Sequence, residues 1–447
     1  LLQIYGGFMK RKLSWGEFWL ICLSLFAMFF GAGNFIFPPI VGKNAGENFY
    51  VGIMFFCLTA VLLPVLGVAA LARAKGLRHL VNRVDPIFGV IFIVLLYLSI
   101  GPLFAIPRAA NMPFDIAIRQ YVGNDIQIWL FVYLVIYFGL NYYICLNPTK
   151  VVDILGRYLT PVLLILIIAL FVAALIHPMG DFGSASGGYV KQAAASGFID
   201  GYQTMDALAS LAFGIIVINS IKGFGIKNEN YLVLLAIKTG IVAGAILFVI
   251  YLALGYVGAT SANLFVDIDK NGALLLSNIS KHLFGSIGIV VLGSAFLLAC
   301  LTTTIGLITS ASEYFAMLTN DKIKYKFWVF LWCLIGFGVA NFGLESIINT
   351  SLPVLIAIYP VAIILIILSL IDNIIEQSKL IYRACVYLCA FIGVLNGLDG
   401  ANISIPLFTG LVRKLPFYDQ MLGWVIPSII VFCITFMIRF ILKRKNI

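Results

Sequence analysis

Thr302, Thr303 and Thr304 stand side by side in a run that is otherwise small or apolar, Ala299-Cys300-Leu301-Thr302-Thr303-Thr304-Ile305-Gly306. Hydroxyls in such a place either bond back to a carbonyl one turn earlier on their own helix or gather around something. A hard cation wants a cluster of oxygens, and hydroxyls with main-chain carbonyls supply one without burying an anion. Thr302, Thr303 and the Ala299 carbonyl form such a candidate set. Two more runs carry polar groups where the chain is otherwise apolar. Gly31-Ala32-Gly33-Asn34 lies midway in a charge-free apolar run from Phe18 to Val41. Glycine weakens a helix and lets the backbone open. Opened backbone inside a bilayer must be buried in protein or line a cavity. The second run reads Gly201-Tyr202-Gln203-Thr204-Met205-Asp206-Ala207-Leu208-Ala209-Ser210-Leu211-Ala212-Phe213-Gly214. An ionisable group inside a span costs about 2.5–3.5 kcal/mol on insertion scales, so Asp206 is expected to face a cavity or a partner. The freed N–H and C=O groups of a broken helix can grip a small charged solute, and paired breaks mark a transporter binding site. The plainer alternatives are glycines as helix-packing surfaces and Asp206 as a residue of the outer interface.

The elements that must position these residues are membrane helices. The 447 residues are 62% hydrophobic and only 11% charged, with mean hydropathy +1.07; a soluble domain carries roughly 25% charge. Apolar runs predict twelve spans, near 15–41, 49–72, 86–106, 127–146, 153–176, 198–221, 231–258, 283–312, 327–342, 346–371, 383–397 and 422–442. The chain therefore reads as an all-α integral membrane protein. With both ends placed in the cytoplasm, 20 of the 29 lysines and arginines fall on the inner side and 8 on the outer, Lys238 lying within a span; this is the positive-inside bias. The breaks fall in spans one and six, the first members of two five-span halves, which predicts an inverted repeat. The expected divisions are a cytoplasmic N-terminus at 1–13, a first repeat at 14–176, a second at 177–371, and two appended spans with a cytoplasmic C-terminus at 372–447. Met9 reads as a start, with Leu1–Phe8 an upstream extension.

Several classes are excluded. The net charge of +10 comes from basic residues scattered singly through short loops, not from a nucleic-acid face. The eight cysteines sit in apolar segments, so they read as small core residues rather than a disulfide framework. Lys10-Arg11-Lys12 precedes an apolar run too long for a cleaved signal. An enzyme is not expected, because His79, His177 and His282 fall in loops or at span ends and no nucleophile–base pair lies at a common depth. A channel needs a ring-forming filter and no paired breaks. Pro353 and Pro360 are expected to kink span ten. Pro102, Pro107 and Arg108 are expected to shape the outer end of span three, with Arg108 as a possible gate. The loop Asn396–Pro416 has no assigned role.

Three blocks together resemble the bacterial branched-chain amino acid carrier family over nearly the whole chain from Ser14. They are Leu25 to Pro39, Ile100-Gly101-Pro102-Leu103-Phe104-Ala105-Ile106-Pro107-Arg108, and Gly201 to Gly214. That family is similar in outline to the LeuT-type symporters, with helices 1 and 6 broken and a five-plus-five inverted repeat. The resemblance implies cation-coupled uptake of leucine, isoleucine and valine across a bacterial cell membrane. No cofactor beyond Na+ as coupling ion is implied, and no protein partner. By match to the wider pattern, Na+ would be held by the carbonyls of Ala27, Phe30 and Ala299 and the hydroxyls of Thr302 and Thr303. The substrate carboxylate would meet the amides of Ala32 and Gly33, in the break that Gly31 and Asn34 flank. The ammonium would meet carbonyls near Phe29 and in the span-six break. Phe29, Met205, Leu208 and Phe213 would take the aliphatic side chain, with Asp206, Ala209 and Ser210 beside them. Met28 and Asp206 depart from the wider pattern. Proton coupling through Asp206, or another amino acid or a nucleobase as cargo, remains the alternative.

Overall fold

Ser14 starts the first helix. Its Oγ accepts the Glu17 N–H at 3.2 Å while the Glu17 carboxylate accepts the Ser14 N–H at 2.8 Å, a reciprocal cap. The computed structural model describes residues 12–445, apart from 120, 121, 124, 148, 149, 151, 152, 178, 267, 269–271, 404 and 419. Leu1–Phe8 and Met9 lie outside the described residues. All regular structure among the described residues is helical. The first half holds α1 (Trp15–Phe29), α2 (Ala32–Ala45), α3 (Phe49–Cys57), α4 (Leu63–Arg73), α5 (Leu77–Asn82), α6 (Pro86–Leu98), α7 (Ala105–Ala117), α8 (Ile126–Cys145) and α9 (Thr160–Ile176). The second holds α10 (Tyr189–Tyr202), α11 (Asp206–Gly223), α12 (Glu229–Thr260), α13 (Gly272–Phe284), α14 (Ser286–Leu318), α15 (Tyr325–Ala340) and α16 (Leu344–Leu370). The short α17 (Asp372–Ile375), then α18 (Lys379–Gly400), α19 (Pro406–Val412) and α20 (Val425–Lys445) complete the chain.

Among the described residues, nine helical stretches are long and apolar enough to cross a bilayer. Three shorter apolar helices, Trp15–Phe29, Tyr325–Ala340 and Val425–Ile441, accompany them. Large apolar side chains such as Ile136, Ile165 and Val249 are more than half exposed, which suits a surface facing lipid rather than water. The chain is a multi-spanning membrane protein.

The broken helices are central. α1 packs on α11, α12 and α14; α2 lies along α12; α7 lies along α14. α18 packs on α16, and α20 on α18, so these last helices are peripheral to the breaks. The closeness of α2 to α12 depends on glycine: a Cβ on Gly258 would sit 2.0 Å from the Pro39 carbonyl oxygen, and one on Gly42 would sit 1.9 Å from that of Gly255. Pro353 and Pro360 lie within the single α16 segment.

Span three differs from its expected limits of 86–106. After α6 a π turn over Ser99–Leu103 contains Gly101 at φ −96, ψ −126, and α7 then runs on to Ala117. Pro102 contributes to this break, since its ring cannot continue the ladder. Arg108 is thus not at the outer end of a span but one turn inside α7, where it is buried. The segment Asn396–Pro416 begins inside α18 and includes α19.

Gly258→Ala is expected to lower the thermal midpoint of the detergent-purified protein, because overpacking costs about 1–3 kcal/mol. Gly338→Ala, where nothing lies within 4 Å of the added methyl, is the matched control and should leave the midpoint unchanged or slightly raised. Equal midpoints for the two variants would remove the packing argument.

Candidate functional site

Phe30 and Gly31 leave helical geometry, at φ −76, ψ 80 and φ −103, ψ −163, before α2 restarts at Ala32. A Cβ on Gly31 would lie 2.9 Å from Thr303 Oγ1, so glycine is what lets α14 bring a hydroxyl against this break. The second break follows Tyr202. Met205 is left-handed, at φ 64, and α11 begins at Asp206. A side chain in that region costs about 1–2 kcal/mol, and its surroundings hold it there. The Met205 N–H donates to the Tyr202 carbonyl at 3.0 Å, and the Thr204 hydroxyl donates to the Gly201 carbonyl at 2.9 Å. The two breaks face each other: a Cβ on Gly33 would lie 3.4 Å from the Thr204 Cα and 3.5 Å from the Gln203 carbonyl oxygen.

One side-chain network joins them. Asn34 accepts the Gly31 N–H at 3.1 Å through Oδ1. Its Nδ2 donates to the Asp206 carboxylate at 2.5 Å and also to the Tyr251 hydroxyl. Tyr251, on α12, donates to the same Asp206 oxygen at 3.1 Å. Asn34 and Asp206 are each 2% exposed and Tyr251 is fully buried. Asp206 is therefore buried and partnered, not an interface residue, and it sits at the first position of α11, where the helix dipole favours an anion.

A second cluster lies where α1 ends against α14. Thr302 Oγ1 is 2.9 Å from both the Ala27 and the Ala299 carbonyl oxygens, and Thr303 Oγ1 is 3.4 Å from the Ala27 oxygen. Two hydroxyl protons are shared among four oxygens, so acceptors outnumber donors in a group that a hard cation suits. The set is neutral, being made of carbonyl and hydroxyl oxygens, and no group of three or more His, Cys, Asp or Glu side chains able to hold a metal ion occurs among the described residues. Phe30 ends α1 beside it, its ring stacked on Phe26 and edge-on to Phe35. Thr304 faces the other way, toward α8, where its hydroxyl bonds Asn141 at 2.8 Å and Tyr137 at 3.0 Å.

A cavity lies between the breaks. Its volume is about 50 Å³. That is room for a few waters. Phe29, Gly31, Ala32, Gly33, Asn34, Met205, Asp206 and Ala209 all line it. Leu208, Ser210 and Phe213 do not. Ser210 is turned to α4, where a Cβ on Gly67 would sit 1.9 Å from its Oγ. Leu208 is wholly buried, and Phe213 packs edge-on against Phe29 at 5.5 Å, behind the cavity wall. Met28, Gln203, Thr204, Thr303 and, from span three, Ile100, Ala105, Arg108 and Ala109 complete the lining with Leu307. The available signal for the span-three residues was the Gly101-Pro102 pair, which breaks that helix and turns α7 toward the cavity.

The profile of a family described as "Branched-chain amino acid transport protein" matches residues 16–442. The chain is 43% identical over 425 residues to the branched-chain amino acid permease BraB of Bacillus subtilis, covering 94% of this chain and 95% of that protein. It is 39% identical to BrnQ of the same organism, covering 94% and 96%, and 38% identical to BrnQ of Lactobacillus delbrueckii subsp. lactis, covering 98% and 100%. In fold it is similar to MhsT solved in complex with L-phenylalanine, with TM-score 0.55 at 14% identity, covering 96% of this chain and 99% of that one. It is also similar to Mhp1, a nucleobase-cation-symport-1 family transporter solved with bromovinylhydantoin bound, with TM-score 0.54 at 15% identity, covering 95% and 93%. At these identities the likeness is one of fold, and that fold is of the LeuT type.

Asn34→Ala and Tyr251→Phe each remove a donor from Asp206, and each is expected to cost about 1–3 kcal/mol of stability by leaving buried groups unpaired. The double variant should lose less than the sum, because one carboxylate is shared. Thermal denaturation of the four proteins measures this; losses that add within about 0.5 kcal/mol would mean that the network does not couple the two helices.

Proposed function

Because the chain belongs to the branched-chain amino acid transport protein family, and is accordingly a membrane carrier rather than an enzyme, we propose that it moves leucine, isoleucine and valine into the cell together with Na+. The observation that carries this reading is the convergence of the Ala27 and Ala299 carbonyls with the Thr302 and Thr303 hydroxyls, beside a cavity that Thr303 also lines. Sodium entering that group takes the place of the hydrogen bonds from the two hydroxyls to the carbonyls, the hydroxyls turning to offer their oxygens, with the Phe30 carbonyl as a further ligand. It bridges α1 to α14 and holds the two together.

The amino acid lies between the breaks. The first N–H groups of α2, at Ala32 and Gly33, have no partner one turn earlier and point their dipole at the carboxylate. The ammonium is met by carbonyls near Phe29 and Gln203. Phe29, Met28, Met205 and Ala209 receive the aliphatic side chain. Methionine is flexible enough to make way, which the narrow cavity requires. Each buried methylene contributes about 0.8 kcal/mol, so leucine outcompetes alanine by roughly 50-fold. In this reading residues 14–176 and 177–371 are the two inverted repeats of five spans, residues 372–447 are appended, and both ends face the cytoplasm. Alternating access is then the rocking of one bundle against the other.

Proton coupling is the second reading. It draws on Asp206, a carboxylate 2% exposed and held by Asn34 and Tyr251 between the two breaks.

In proteoliposomes, an inward Na+ gradient should concentrate radiolabelled leucine, with valine and isoleucine competing. Thr303→Ala should raise the Na+ concentration for half-maximal uptake about tenfold or more, since losing about 1.4 kcal/mol at one ligand is tenfold. An unchanged Na+ requirement would discard the ion-site assignment. Uptake driven by a pH gradient without Na+, and abolished in Asp206→Asn, would favour proton coupling instead.

A further inference from the structure

Arg108 is the anomaly in the cavity wall. A guanidinium never loses its proton under ordinary conditions, and one held inside a membrane protein needs an anion or a dense set of acceptors. Arg108 is only 7% exposed. Among the described residues no carboxylate lies within ion-pair distance of it, and its Nε has no hydrogen-bond partner. Its guanidinium rests over the Phe37 ring, whose centroid is 5.5 Å from Cζ. The carboxylate that shares the cavity, Asp206, already accepts from Asn34 and Tyr251. The cavity thus holds a buried guanidinium and a buried carboxyl group that are not paired with each other.

The position of Arg108 says what is missing. Phe37 is one turn beyond Gly33 on α2, and its ring edge comes within 3.4 Å of the point where a Gly33 Cβ would be. Arg108, resting on that ring, stands beside the N-terminal turn of α2, whose unpartnered N–H groups also select an anion. Two independent anion-seeking features, from α2 and α7, face the same small space.

We propose that Arg108 binds the α-carboxylate of the transported amino acid, as a charged clamp opposite the amides of Ala32 and Gly33. This deepens the transport reading above and rests on it. The planar fork of arginine suits a carboxylate, and the Phe37 ring fixes its orientation. The clamp makes the free carboxylate a condition of binding: an amine or amide with the leucine side chain leaves Arg108 buried and unpaired, and is rejected. Selection by side chain and selection by head group are then separate, the first resting on Phe29, Met28 and Met205 and the second on Arg108.

The test uses the full-length protein in liposomes, with labelled-leucine counterflow and with leucine, leucinamide or isopentylamine as competitors. The wild type should be inhibited by leucine and by neither analogue. Arg108→Gln should raise the KM for leucine about 100-fold, as expected on losing a charge-assisted pair, and narrow the preference for leucine over leucinamide to within a few-fold. Arg108→Lys keeps the charge without the fork; it should raise KM about tenfold, leave the maximal rate near wild type, and still exclude leucinamide. That variant decides the matter if Arg108→Gln does not fold. Leucine KM and leucinamide exclusion unchanged in either folded variant would overturn the proposal. So would a loss that follows chloride rather than leucine, which would make the anion inorganic. A wild type that does not exchange leucine at all would instead remove the transport reading itself.

Discussion

A main-chain N–H or C=O released from a helix in the middle of a bilayer has no water to turn to. The structure around both breaks follows from that constraint. At Gly31 the freed N–H is taken by Asn34, and Asn34 is in turn fixed by Asp206 and Tyr251. The second break is closed by Thr204 and by a strained Met205. Neither break stands alone, because Asn34 on α2 and Asp206 on α11 satisfy each other. Desolvation that would forbid either opening is offset by making them together, in one buried network anchored on α12.

The arrangement leaves some groups deliberately short of partners. The Ala27 and Ala299 carbonyls share the Thr302 hydroxyl, the first N–H groups of α2 have no partner one turn earlier, and Arg108 has no counter-ion among the described residues. The turn of α2 and Arg108 line one small cavity, and the carbonyl pair adjoins it through Thr303. A cation, a carboxylate and an aliphatic side chain would together satisfy them. On the proposed reading, the empty protein carries an electrostatic deficit that its cargo removes.

On that same proposed reading, Thr303 ties ion to substrate. Its hydroxyl approaches the Ala27 carbonyl, its side chain abuts Gly31, and it lines the cavity. Anything that draws Thr303 toward α1 also shapes the break that meets the amino acid. Coupling between two ligands is reciprocal by thermodynamic necessity, and here the physical route needs no more than one residue and one glycine.

Much of this was legible in the chain because it is local. Apolar length located the spans, Gly31 and Gly33 marked one break, the polar run from Gln203 to Asp206 marked the other, and Thr302 with Thr303 stood out against an apolar helix. What the sequence did not yield was which way each helix faces after a break. A residue in left-handed conformation, such as Met205, or a glycine such as Gly101, resets the rotation of the helix that follows, so the 3.6-residue period cannot be carried across it. Phe213 shares the face of Asp206 and Ala209 but lies two turns further along α11, packed on Phe29 beyond the cavity, Ser210 meets Gly67 of α4, and Arg108, which sequence placed at a span's outer end, reaches the cavity wall after the Gly101 break. The partnership of Asp206 with Tyr251 likewise joins helices whose registers are set only by packing. Composition and local residue chemistry determined that the helices open; the docking of α2, α7, α11, α12 and α14 decided what stands around the opening, because only packed helices fix the direction of a side chain in three dimensions.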